Sequence, residues 1–318
     1  MALGGPAVDL FMVLSGYVVT LSWLRQQKRG GEAWSFYLGR MMRLMPVYLL
    51  SLALSLLAWA AIKQIGVPDI PGFVAYDRVL TSSDVIANIM PIWLNNGTLV
   101  LNPAWWTLQV EFFAMLLTPV IVGATVRGGG ETLAGWTLTL GLLAMGGSSL
   151  GIAGAAQMFM LATICLGIWL ALNDAEDRQL PLDRVPTGII IGVGLVILAG
   201  LLILRAAHYD AFLLRSCGAV GAICVIMGLR RAARAARGRT IPLPYVRLFS
   251  YPYYVIHYPV IAVMVAAGYA AGISPILCAA IGALIAIPIA ALIALLIEAR
   301  AIARASAFVS TIIEPNRL

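Results

Sequence analysis

Charge is what this sequence has least of. Asp, Glu, Lys and Arg make up 11% of its 318 residues, against about a quarter in soluble globular domains. A chain that is 61% hydrophobic, with a mean hydropathy of +0.94, has too little charged surface to stay in water. A soluble enzyme is excluded on that ground, and so is a disordered tail, which needs the opposite balance. Cysteine is scarce as well. Cys165, Cys217, Cys224 and Cys278 lie in or at the edge of apolar runs. They form neither a disulfide framework nor a metal-ligand spacing, and read as small packing residues. No metal is expected. What remains is a polytopic membrane protein.

What is abundant is apolar length. A membrane helix needs about 20 mostly apolar residues, and the sequence offers nine such runs. They are Val8 to Leu24, Leu44 to Ile65, Trp105 to Val126, Thr132 to Gly151, Ala153 to Leu172, Val185 to Leu204, Ala211 to Leu229, Leu248 to Ala271 and Ser274 to Ile297. The runs are continuous rather than alternating, which argues for helices and against barrel strands. The expected fold is all-α, a transmembrane helical bundle forming one integral membrane domain over residues 1–318. No separate soluble domain and no internal repeat is expected.

The net charge of +7 does not point to nucleic acid, because of where it falls. Threading nine spans puts Arg25, Lys28, Arg29, Arg40, Arg43, Arg127, Arg178 and Arg184 on one side. The cluster from Arg230 to Arg247 joins them, with Arg300, Arg304 and Arg317. The other side keeps only Lys63, Arg78, Arg205 and Arg215. The basic side is expected to be cytoplasmic. The C-terminus is then cytoplasmic, the N-terminus outside, and Gly66 to Ala104 the one sizeable outer loop. Nothing at the N-terminus resembles a charged region followed by an apolar stretch and a cleavage site. The expectation is a chain that lacks one span at its start.

Polar side chains inside a bilayer are costly, so those that remain are functional candidates. Glu111 lies about two turns inside the third run, in NPAWWTLQVEFF, and Asp9 opens the first in AVDLFMVLSGY. Gln157 and Glu298 are the others.

These segments carry a resemblance. VDLFMVLSGY resembles the region around the second membrane helix of the acyltransferase-3 family, whose members transfer acyl groups to sugars and other acceptors. FYLGRMMRLMPVY is similar to that family's next motif, two arginines three apart before a hydrophobic-Pro-aromatic sequence. PAWWTLQVEFF resembles its tryptophan, small-hydroxyl, Val-Glu motif, and SYPYYVIHYPV its late Ser-Tyr-aromatic-His-Pro segment. LLIEAR more weakly resembles its final glutamate. The ordered set spans Val8 to Glu298. Family members ordinarily begin with one more helix, bearing an arginine and a histidine taken as catalytic. The resemblance therefore implies ten spans in the complete fold and a base histidine absent here.

By that resemblance the donor is acyl-CoA, with acetyl-CoA expected. The acceptor is a hydroxyl of a glycan or lipid-linked sugar, and the location is the inner membrane of a bacterium. Arg40 and Arg43, on one helical face, are then ligands for coenzyme A phosphates. Taken alone they read as headgroup anchors. The catalytic candidates are Glu111, Asp9 and His257. The plainer alternatives are a buried carboxylate paired with a neighbouring helix for Glu111, and a packing histidine for His257. His208 reads as a loop residue. Trp105 and Trp106 fit an outer aromatic belt or stacking on the acceptor. Ser15 and Gly16 suit close helix packing, and Asn96-Gly97-Thr98 is a sequon of little weight in a bacterial protein. A transporter or flippase using Glu111 and Asp9, and an inactive truncated relative, are the rival classes.

Overall fold

The computed structural model describes residues 5–66, 79–89, 101–149, 155–178, 180, 184–206, 212–235 and 244–313. Eleven α-helices run through them. These are α1 (Gly5–Gln27), α2 (Ala33–Ile65), α3 (Ser82–Ala87), α4 (Trp106–Gly128), α5 (Gly130–Ser149) and α6 (Ala155–Ala175). They continue as α7 (Thr187–Ala206), α8 (Phe212–Ala235), α9 (Pro244–Ala270), α10 (Pro275–Ile293) and α11 (Ala299–Ile313). A 3-10 turn at Pro103–Trp105 leads into α4, and a π-helical turn at Ala294–Glu298 joins α10 to α11. Among the described residues there is no strand. The protein is an all-α polytopic bundle. Among the described residues seven helical stretches are long and apolar enough to cross a membrane, and each overlaps one of the nine runs above. The remaining two runs fall on α5 and α8.

The chain clusters into two compact units, one of residues 1–33 and 110–241, the other of residues 34–109 and 242–318.

In the first unit, α1 and α6 meet backbone to backbone. A Cβ on Gly16 would strike the Ile164 carbonyl, and one on Gly167 would strike the Val13 carbonyl. Lipid offers no hydrophobic drive between helices, so such close approach is what gains dispersion contact. Gly194 of α7 and Gly221 of α8 repeat the device. At the end of α6, Asp174 gathers three partners. Arg230 Nη1 lies at 2.5 Å and Arg234 Nη2 at 2.6 Å from Oδ1, while the Tyr17 hydroxyl donates to Oδ2 at 2.5 Å. One carboxylate thus ties α1, α6 and α8 together.

The second unit is built on two helical rods longer than a bilayer. α2 has 33 residues, about 50 Å of helix, against a hydrocarbon core of about 30 Å. α10, the π turn and α11 form a continuous stretch of 37 residues, Pro275–Thr311. The apolar run begins at Leu44, but the helix starts eleven positions earlier, because Arg, Met and Leu are all good helix formers. Gly39 lets this extension approach α11, where a Cβ would lie 2.7 Å from Val309 Cγ2. Packing sets the register. Ala58 and Ile62 meet Ala262, Val265, Ala266 and Cys278 at one end. Val47, Tyr48 and Leu52 meet Val255, Ile256, Ala290 and Ile293 further along.

Part of the segment after α2 packs against the helices of its own unit. Leu101 and Trp105 belong to the cluster around Tyr48, and the Tyr48 hydroxyl donates to the Asn88 carbonyl at 2.7 Å. Tyr48 precedes the α2 terminus at Ile65 by 17 residues, about 25 Å. Residues 79–89 and 101–105, which follow α2 in sequence, therefore pack back into their own unit. Burial of Leu80, Leu101 and Trp105 against the helices drives that return.

Candidate functional site

The returning segment is anchored by a proline's missing donor. Pro259 lies inside α9 and has no N–H for the carbonyl four residues before it, which is Val255. Asn102, fully buried, supplies the replacement, its Nδ2 donating to Val255 O at 2.8 Å. Its Oδ1 accepts from Ala104 N at 3.1 Å and so caps the 3-10 turn. This places Trp105 with 0% exposure, its ring 5.0 Å from that of Tyr48 at 54°. Trp105 is therefore not an outer-belt residue. Trp106 is half-buried. The Tyr254 hydroxyl donates to Ala104 O at 2.7 Å and bonds Thr107 Oγ1. Trp105 Nε1 is buried and has no acceptor among the described residues, an open donor in the unit's interior.

His257 follows one turn along α9. Its ring stacks on Tyr253 at 5.7 Å and 16° and tilts against Tyr254. Its Nδ1 lies 2.7 Å from Tyr254 O and 3.2 Å from Tyr253 O. A carbonyl can only accept, so Nδ1 carries the proton of the neutral ring and Nε2 is left as the acceptor. Nε2 makes no hydrogen bond among the described residues. A histidine held in this tautomer presents Nε2 as a lone-pair acceptor.

Arg40 and Arg43 stand on the extension of α2. Arg43 Nη2 lies 3.5 Å from Glu298 Oε1. Glu298 is fully buried on the π turn, whereas the Arg43 side chain keeps 35% exposure. Arg43 Nε and Glu298 Oε2 are buried with no hydrogen-bond partner among the described residues. Next to this pair, the Tyr251 hydroxyl donates to Leu44 O at 3.0 Å.

The other two candidates fall in the first unit. Asp9 is buried on α1 at 1% exposure, and Gly218 of α8 has the room for it, since a Cβ there would run into the Asp9 carboxylate. Glu111 is half-buried on α4. Within the second unit the structure brings Arg43 to Glu298, and Trp105 to Tyr48. His208, the Asn96-Gly97-Thr98 sequon and the side chain of Gln157 lie outside the described residues.

Asn102 is not a candidate from the sequence, and Thr107 and Tyr254 stand there only as members of the quoted motifs, with no role of their own. The signal for Asn102 was present: an Asn-Pro ahead of a helix, and a proline inside another helix whose stranded carbonyl needs a donor. The link between them is a tertiary contact.

A family model described as an acyltransferase domain matches residues 1–295. No curated protein and no solved structure shows a significant match. Over nine-tenths of its length, then, this chain belongs to the acyltransferase-3 family and is a multi-pass membrane protein of acyltransferase type.

Proposed function

We propose that the protein moves an acyl group from cytoplasmic acyl-CoA, with acetyl-CoA as the expected donor, to a hydroxyl of a glycan or lipid-linked sugar in a bacterial inner membrane. The basic side of the bundle is cytoplasmic in this reading, with the first helix starting outside. The observation that carries it lies within the second unit. Arg43, with an unfilled buried N–H, neighbours Leu44, which is bonded to Tyr251. His257, with its free Nε2, follows about 9 Å further along α9. Phosphates held at Arg40 and Arg43 would leave the flexible arm of coenzyme A to reach the histidine level.

The chemistry then assigns itself. Nε2 of His257 takes the proton of the acceptor hydroxyl as its oxygen attacks the thioester carbonyl carbon. The C=O π bond becomes an oxyanion, for which Trp105 Nε1–H is an available donor. On collapse the C–S bond breaks and the imidazolium proton goes to the departing thiolate. Trp106 is assigned to the acceptor. Glu111 and Asp9, in the first unit, are carried in this reading as further catalytic candidates.

The experiment is binding of CoA to the full chain in nanodiscs, followed by release of free CoA thiol from acetyl-CoA in the presence of a sugar acceptor. Binding that depends on Arg40 and Arg43, with thiol release that depends on His257, supports the reading. Substrate movement across the bilayer without CoA binding would make it a transporter.

A further inference from the structure

We propose that Glu298 is the internal counter-ion of the donor-phosphate site: it neutralises Arg43 while the site is empty and competes with the phosphates for it afterwards. This rests on the reading of Arg43 as a donor ligand.

A fully buried carboxylate and the half-buried guanidinium beside it need each other's charge, and Glu298 is the one ion-pair partner of Arg43 among the described residues. The pairing is incomplete on both sides. A single contact of 3.5 Å joins them, well beyond the roughly 2.7–2.9 Å of a charge-assisted hydrogen bond. Nε lies on the same edge of the guanidinium as Nη2 and is buried with nothing to donate to. A planar edge made for two oxygens holds one, at its margin. On the glutamate, Oε2 is buried and has no partner either. Glu298 also closes a π-helical turn, a distortion that recurs at functional sites. Such a carboxylate neutralises the arginine yet yields its edge to a better-fitting anion.

The reaction gives this a purpose. Acyl-CoA and spent CoA carry the same phosphates, so any grip on them holds product as tightly as donor. Uniform binding of this kind does not speed the chemistry and slows product release. A buried carboxylate beside the phosphates opposes that grip and returns to Arg43 as CoA departs.

CoA is the probe, the full chain in nanodiscs the sample, and affinity, dissociation rate and thermal midpoint the readouts. Glu298→Gln keeps the shape and removes the charge. It is expected to tighten CoA by at least about threefold, like charges no longer being forced together, and to slow dissociation correspondingly. In an Arg43→Ala background the same change should alter affinity by less than about twofold, since non-interacting sites alone add independently. Unchanged or weakened CoA binding in Glu298→Gln, where Arg43→Ala does weaken it, overturns the proposal and leaves the donor site standing. No effect of Arg43→Ala removes the donor site itself. If Glu298→Gln does not fold, Glu298→Asp draws the charge back by one methylene. Tighter CoA then supports the proposal, and equal or weaker CoA overturns it.

Discussion

Asn102 donates to the carbonyl of Val255 at 2.8 Å, the carbonyl that Pro259 deprives of its helical donor. One side chain thereby repairs a proline break and pins the NPAWW segment to α9. Asn102→Ala removes the cap of the 3-10 turn, costing about 1 kcal/mol, and strands a buried carbonyl, costing about 1–3 kcal/mol more. The thermal midpoint should fall accordingly. Pro259→Ala restores the helical N–H, so Asn102→Ala should cost less in that background. Equal costs in both backgrounds would dissociate the two residues.

Arg40 and Arg43 are expected to act on donor affinity. Replacing either by Ala should weaken CoA binding by about 1.5–3 kcal/mol for each charged hydrogen bond lost, read by calorimetry on folded protein. Unchanged affinity in the double variant would leave them as headgroup anchors.

His257 and Glu111 are both expected to move transfer and to leave donor affinity alone. His257→Gln keeps a side chain that can bond the Tyr254 carbonyl but has no basic nitrogen, so transfer should fall by about 10²–10⁴-fold with CoA affinity unchanged. Glu111→Gln should impair transfer while insertion and donor affinity hold. A fall in thermal midpoint without loss of specific activity would make either residue structural.

The bundle was legible because apolar length alone declares a membrane helix, and each described span overlaps a run read from the sequence. The ends were less so. Hydropathy stopped at Leu44 and Ile297, where Arg43 and Glu298 interrupt the runs. The helices continue through both positions, and the two side chains meet at 3.5 Å. Trp105 was read as a belt residue because an aromatic pair after a polar loop is what a belt looks like. Its burial beside Tyr48 depends on a returning segment held by Asn102, and no local pattern encodes that. Candidate residues could be found one by one from their chemistry, but their partners could not, since Arg43 and Glu298 lie 255 positions apart.

The last prediction sets structure against chemistry in the first unit. Asp174 receives Arg230, Arg234 and Tyr17, and its side chain is 8% exposed against 6% for Arg230. Removing one member of a buried ion pair typically costs about 3–5 kcal/mol, because the other charge stays buried. Arg234 is half exposed and can turn to solvent, so Arg234→Ala should cost no more than about 1 kcal/mol. Asp174→Ala is therefore expected to lower the thermal midpoint far more than Arg234→Ala, and Tyr17→Phe to fall between them. CoA affinity, measured below the midpoint of each variant, should not change, because the cluster is filled by its own members. Loss of CoA binding in a folded Asp174→Ala protein would show that these arginines serve the donor, and would move part of the phosphate site into the first unit.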